Sequence, residues 1–231
     1  MKECLVLFSG GIDSTTVLYW AANQYKNVHA LTFDYGQRHN IEISFAQKIT
    51  EKLQIPHKIL LLNLWQIGGS SLTDFTLDVP EFNKIEEIDK GLPLTYVPFR
   101  NGIFLAMAAA WGEVKGIRDI ICGFNIIDSP NYPDTSSSFV EAMEKAVNLG
   151  TKALFSRKKT KLIAPFIHMK KSEILRAGLS FGADYSWAVS CYAGREIPCG
   201  KCSSCLLRKK AFEEVEQDDP LLVRLEKEGK I

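Results

Sequence analysis

The chain has 231 residues, 46% hydrophobic and 24% charged, with 28 Lys and Arg against 27 Asp and Glu for a formal charge of +1. That length suits one sizeable α/β core with appendages, and no apolar run nears the roughly 18 residues of a membrane span. A balance so close to zero gives no field to gather a polyanion, and the N-terminal apolar run breaks at Ser9-Gly10-Gly11, too short for a secretory signal, so a cytoplasmic chain with neither nucleic acid nor membrane as partner is expected.

In chain order, the first element is an apolar strand from Cys4 to Phe8, followed by a glycine pair and a helical stretch from Thr15. A second strand runs from Val28 to Phe33. Ile41, Phe45, Ile49 and Leu53, with Ala46 beside them, then make one apolar helix face. The third strand is Lys58 to Leu62. From Gly68 to Pro93 no period holds, and the stretch reads as an irregular excursion. Asn101 to Val114, rich in Ala, Met, Leu and Phe, is a helix packed on more than one side, and Asp119 to Cys122 a fourth strand. Ser138 and Glu141 fit a capping box that opens a helix through Phe139, Met143 and Val147. Leu162 to Phe166 is a weaker fifth strand, Lys171 to Leu179 a short helix, and Leu206 to Val215 a terminal one. Basic runs at Arg157-Lys158-Lys159 and Arg208-Lys209-Lys210 read as solvated faces.

Strands alternating with helices predict an α/β doubly wound parallel sheet, Rossmann-like, with right-handed crossovers and ligands at the carboxyl ends of the strands. One domain over residues 1–231 is expected, with residues 187–216 forming a metal-binding segment and the helix packed on it.

The first strand runs directly into Ser9-Gly10-Gly11-Ile12-Asp13-Ser14 and then the helical Thr15-Thr16-Val17-Leu18. Glycines at a strand-to-helix turn let backbone N–H groups approach an anion, and the new helix adds its positive end. Ser9, Ser14 and Thr15 add hydroxyls, while Asp13 suits a bridging Mg²⁺ or a helix cap. The plain alternative is an ordinary Gly-Gly turn, but the whole hexapeptide in this context favours phosphate. It is no Walker loop, lacking the Lys, and resembles the pyrophosphate loop of the ATP-pyrophosphatase superfamily, whose members attack the α-phosphate of ATP, form an adenylate and release pyrophosphate. That resemblance implies ATP contacts from Phe8 to Leu18, namely Phe8, Ser9, Gly10, Gly11, Ile12, Asp13, Ser14, Thr15, Thr16, Val17 and Leu18.

Cys191, Cys199, Cys202 and Cys205 form two overlapping C-x-x-C steps behind a seven-residue loop. Four thiolates so spaced close a tetrahedral shell around Zn²⁺, with no place for water, so the metal is expected to be structural, one per chain. A redox C-x-x-C or an iron–sulfur cluster would need a βαβ start or a Pro after the last Cys.

Loop and cysteines together resemble the 7-cyano-7-deazaguanine synthase family across nearly the whole chain. The resemblance is also carried by Phe33-Asp34-Tyr35-Gly36-Gln37-Arg38-His39, Tyr96-Val97-Pro98 with Arg100-Asn101, Gly123-Phe124-Asn125 with Asp128, Tyr132-Pro133-Asp134, Ser190-Cys191-Tyr192 and Pro198-Cys199-Gly200. It implies a ligase that converts 7-carboxy-7-deazaguanine and ammonia to the nitrile through an adenylate and an amide, using ATP, Mg²⁺ and structural Zn²⁺, as a homodimer. Arg38, His39, Arg100 and Lys171 are then the catalytic candidates, guanidinium forks pairing with carboxylate or phosphate and His39 moving protons. Tyr35, Gln37, Asn101, Asp128, Tyr132 and Asp134 are the substrate candidates, the aspartates accepting the N–H edge of a guanine-like ring; for each residue singly, a loop salt bridge or cap is the alternative. The chain departs from the family pattern where Thr135-Ser136 replace Cys-Arg, Pro130-Asn131 replace a small residue and Gly, and Ala188 replaces Thr. Three other readings follow: a relative that stops at the amide or uses a protein amine, a tRNA-modifying enzyme of the superfamily, and a non-catalytic zinc module.

Overall fold

The computed structural model describes residues 2–88, 91–127 and 131–231. Five parallel strands, β1 (Glu3–Leu7), β2 (Asn27–Asp34), β3 (His57–Leu61), β4 (Asp119–Ile121) and β5 (Lys161–Ile163), form one sheet in the order β3-β2-β1-β4-β5. The order reverses at β1, whose Leu5 sits between His29 of β2 and Ile120 of β4, so the crossovers diverge there and leave a crevice at the carboxyl ends.

Buried on both faces, β1 reads as a continuous apolar run, and strand periodicity divides it. Cys4 and Val6 face α1 (Ile12–Gln24), α2 (Ile41–Lys52), α5 (Lys171–Ser180) and α6 (Ser203–Glu214), while Leu5 faces α3 (Arg100–Lys115) and α4 (Ser137–Gly150). Leu5 is wholly buried, and truncating it to Ala would cost about 2–5 kcal/mol in lost transfer energy and cavity.

Two local signals fall differently from the sequence reading. The cap of α4 is Ser136, whose hydroxyl accepts from Phe139 N at 3.2 Å, not Ser138 in a box with Glu141; Ser136 has the extended backbone of a cap, and Ser138 is already inside the helix. A further helix, α7 (Pro220–Lys227), follows α6; Asp219 caps it and Pro220 fills its first turn.

Between Gly68 and Pro93 the described residues form turns and one short 3₁₀ turn at Ile85–Glu87. Ser70, Ser71, Leu72 and Thr73 are nevertheless buried, so the excursion is packed against the body. No helix is long and apolar enough to cross a membrane among the described residues.

Candidate active site

A cavity of about 530 Å³ opens at the carboxyl ends of β1, β2 and β4. One end is the turn after β1. Gly10 has φ +86°, and a Cβ there would lie 2.9 Å from the Glu42 carbonyl oxygen, so conformation and space both require glycine. Ser14 Oγ accepts from Ser9 N at 3.3 Å and donates to Gly11 O at 3.1 Å, while Ser9 Oγ lies 3.0 Å from Ser14 Oγ and accepts from Gly11 N. Gly123, just past β4, approaches so closely that a Cβ would stand 3.1 Å from Ser14 N.

Phe8, Ser9, Gly11, Ile12, Asp13 and Ser14 line the cavity, but the rest of the expected ATP stretch does not. Gly10 lies behind the turn, and Thr15, Thr16, Val17 and Leu18 are turned into the core by the helix. Thr16 Oγ1 is bonded to Tyr185 OH at 2.7 Å, and Thr15 Oγ1 is buried without a partner. Asp13 caps nothing; both its oxygens accept from Lys171 Nζ, at 2.6 and 2.9 Å, which brings the start of α5 to the cavity wall.

The other end is assembled from distant segments. Arg100, in the first turn of α3, donates from Nη1 to Tyr35 OH at 3.1 Å and lies over the Tyr35 and Phe104 rings. It makes no ion pair among the described residues, and its buried Nε has no partner. A half-buried cation so placed favours an anionic ligand. His39 is buried beside it; burial, with the Arg100 charge adding, pushes its imidazole down to about 3, which favours the neutral ring. Its Nε2 is 3.4 Å from a Glu42 oxygen, and its Nδ1 has no partner among the described residues. Burial pushes the Glu42 carboxyl up to about 8, against the pull of Arg100 and Gln37.

Tyr35, Asn101 and Tyr132 reach the wall, Tyr132 OH lying 2.8 Å from Thr95 Oγ1. Other candidates are placed elsewhere. Arg38 donates to the carbonyls of Ser71, Asp74 and Leu77 and covers Phe75, so its guanidinium clamps the excursion instead of facing the cavity. Gln37 staples its own loop, accepting from Tyr35 N and donating to Phe33 O. Asp134 is 3% exposed and caps α3 through Asn101 N at 2.9 Å; its second oxygen is buried without a partner among the described residues. Asp128 lies outside the described residues.

Sequence reasoning missed Glu42, Phe104, Tyr192 and the wall supplied by Ser203, Ser204 and Leu207 of α6. Glu42 had a signal. It shares the face of Phe45, Ala46 and Ile49, where an acid is out of place. The wall from α6 had none, because it depends on how the cysteine segment folds back.

In that segment the sulfurs of Cys191, Cys199, Cys202 and Cys205 lie within 4.8 Å of one another, a grouping able to hold a metal. Cys199 Sγ accepts from Cys202 N at 3.3 Å, and Cys191 Sγ from Cys199 N at 3.3 Å, as suits thiolates. Val189, Ser190 and Tyr192 beside the cluster line the cavity, and Arg208 ties α6 to Ala188 O at 2.6 Å and to Asp219 at 2.5 Å.

Residues 3–216 match the family model described as "Queuosine biosynthesis protein QueC". The chain belongs to that family. It is 45% identical over 231 residues to a 7-cyano-7-deazaguanine synthase of Clostridium kluyveri, covering 98% of this chain and 100% of the relative. It is 43% identical over 223 residues to one of Coxiella burnetii, covering 95% and 97%. Among solved structures, a 4-thiouridine synthetase–RNA complex with bound ATP matches at TM-score 0.52 and 20% identity, over 99% of this chain and 53% of that one. A predicted tRNA methyltransferase subunit from Methanocaldococcus jannaschii matches at 0.50 and 16%, over 78% and 75%. At such identities these two likenesses speak for the fold alone.

Proposed function

We propose that this chain is an ATP-dependent ligase that converts 7-carboxy-7-deazaguanine and ammonia to 7-cyano-7-deazaguanine through an adenylate and an amide. The observation that carries the reading is one cavity joining the Ser9–Ser14 turn to the half-buried cation of Arg100, which has no ion pair among the described residues. Relatives named for this synthesis over nearly the full chain support it.

A carboxylate is a poor electrophile until an oxygen becomes a phosphate ester. In this reading Arg100 holds the acid by its guanidinium, and the aromatic wall of Tyr35, Phe104, Tyr132 and Tyr192 stacks on the deazapurine. The backbone and hydroxyls of Ser9, Gly11 and Ser14 meet the departing pyrophosphate of ATP, where fixed donors stabilise developing charge. Asp13 is the carboxylate suited to Mg²⁺ on the phosphates, and Lys171, paired with it, adds a positive charge of its own. The four thiols fit Zn²⁺, which would hold the wall from Val189 to Tyr192 and take no part in the chemistry, since a closed shell leaves no open position.

The second reading, an enzyme that stops at the amide, is favoured by Thr135 on the cavity wall in place of the family's Cys; its hydroxyl donates to Tyr132 O at 2.8 Å. Mass spectrometry of products from the acid, ATP, Mg²⁺ and ammonium separates the two. Nitrile with about two AMP released per product is the expected result; amide with one AMP establishes the second reading, and no acid-dependent AMP release overturns both.

A further inference from the structure

We propose that Glu42 is the base that removes the N–H protons, first as ammonia displaces AMP from the activated carboxyl and again as the activated amide collapses to the nitrile. This rests on the function proposed above and adds a residue to it. Glu42 begins the first turn of α2 on the face of Phe45, Ala46 and Ile49, which turns its side chain inward to the cavity wall at 8% exposure. Its Oε1 lies 3.4 Å from His39 Nε2 and 3.5 Å from Gln37 Nε2, and its own carbonyl oxygen packs under Gly10 of the loop. One residue therefore spans the seam between the two halves of the site.

Gln37 and His39 on the adjoining turn touch it, and the titratable and charged groups that share its wall are Arg100 from α3, Tyr35 after β2, Tyr132 and Tyr192 from the loops beyond, Cys122 after β4, and Arg208 and Lys210 of α6; Asp13 and Lys171 pair at the opposite end. Among the described residues Asp13 is the other carboxylate on the wall, and Lys171 engages both its oxygens. Glu42 is thus the wall carboxyl without a Lys or Arg ion pair among the described residues.

The chemistry requires such a group. When ammonia adds to the acyl adenylate, a C–N bond forms and the C–O bond to AMP breaks with its electron pair on AMP; the surplus N–H proton passes to the Glu42 carboxylate. A second ATP then takes the amide oxygen on its α-phosphorus and loses pyrophosphate. As the second C–O bond breaks toward AMP, nitrogen gives up its remaining protons in forming the triple bond. Glu42 accepts them in turn, releasing each to water through the open cavity. A base works best when its pKa is near the working pH, and burial pushes this carboxyl up to about 8, whereas His39 beside it is pushed down to about 3.

The test splits the reaction. Wild-type protein with ATP, labelled pyrophosphate and 7-carboxy-7-deazaguanine, without ammonium, should show acid-dependent pyrophosphate exchange; its absence removes the proposed function, independently of Glu42. Given exchange, Glu42→Gln should keep it within about threefold while ammonium-dependent product formation falls on the order of 10²–10³-fold in kcat. Its pH profile should lose the rise near 8, and Glu42→Asp should restore part of the rate with a displaced profile. Glu42→Gln with wild-type amide and nitrile formation overturns the inference. So does equal loss of exchange and product formation in folded Glu42→Gln. If Glu42→Gln does not fold, Glu42→Asp decides: an unmoved profile overturns the inference.

Discussion

At the loop end of the cavity, Ser9 to Ser14 come from one turn of chain and bond chiefly to one another; at the Arg100 end, Tyr35, Glu42, Arg100, Tyr132 and Tyr192 meet only because β2, α2, α3 and the cysteine segment pack together. The hydroxyls of Ser9 and Ser14 and the N–H groups of Ser9 and Gly11 bond within the turn before any ligand binds. The second end leaves buried polar atoms without partners at Arg100 and His39 and shifts an acid and a base in opposite directions. A locally encoded anion site can be complete by itself, whereas a site built by tertiary packing holds its groups in states that only a ligand resolves.

The largest effect should come from the cysteine segment, which lines the second end through Tyr192 and touches the first through Val189 N, donating to Gly10 O at 3.1 Å. Cys202→Ser removes one of four clustered sulfurs, and structural zinc contributes on the order of 10 kcal/mol to small metal-folded domains. Here Phe212 and the Arg208–Asp219 pair also anchor α6, so the sheet should survive. Hydrogen exchange should accelerate most over residues 187–216, Tyr192 included, and less over residues 9–14, which the Val189–Gly10 bond couples to the segment. Equal loss of protection at both ends would break the comparison, and freshly purified, unchelated protein free of metal by elemental analysis would remove its basis.

A smaller effect separates the ends by kinetics. Asp13→Ala should lower kcat for adenylation by roughly 10- to 1,000-fold, as loss of a charged contact to the reacting phosphates does. Arg100→Gln should instead raise KM for the acid by roughly 10- to 100-fold with ATP binding unchanged, since it removes ground-state pairing to the carboxylate. Both variants raising KM for ATP alike would show that the ends work as one.

The same contrast explains what the sequence disclosed. The sheet, its helices, the phosphate turn and the cysteine cluster are legible because each is written in contiguous chain: an apolar run, a stripe at i, i+4, a glycine pair after a strand, cysteines at fixed spacing. Arg38 and Arg100 look equivalent in sequence, two arginines in loop motifs. Packing alone decides that Arg38 binds the carbonyls of Ser71, Asp74 and Leu77 while Arg100 stands half-buried on the cavity wall without an ion pair among the described residues. Likewise Asp134 belongs to a motif that reads as substrate recognition, but its position against the start of α3 commits one oxygen to capping Asn101 N. His39 could be located from sequence, yet its neutral state follows from burial that no local pattern encodes.

The smallest effect lies at Ser136, which by resemblance stands where the family has an arginine. Its hydroxyl accepts from Phe139 N at 3.2 Å as the cap of α4, and it does not line the cavity, whereas its neighbour Thr135 does. Without that oxygen a first-turn N–H of α4 is left to water, which typically costs about 1 kcal/mol. Ser136→Ala should therefore lower the melting temperature by about 2–4 °C, the shift such a loss produces in a chain of this size. Ser138→Ala, inside the helix and facing no orphan N–H, should leave it nearly unchanged. Turnover of Ser136→Ala with ammonium should stay within about twofold of wild type, because capping a helix on the far side of Thr135 contributes no group to the reacting atoms. A larger drop in turnover without a drop in melting temperature would place Ser136 with the chemistry of the Arg100 end, and a greater thermal cost at Ser138 than at Ser136 would return the cap to the position the capping-box pattern first suggested.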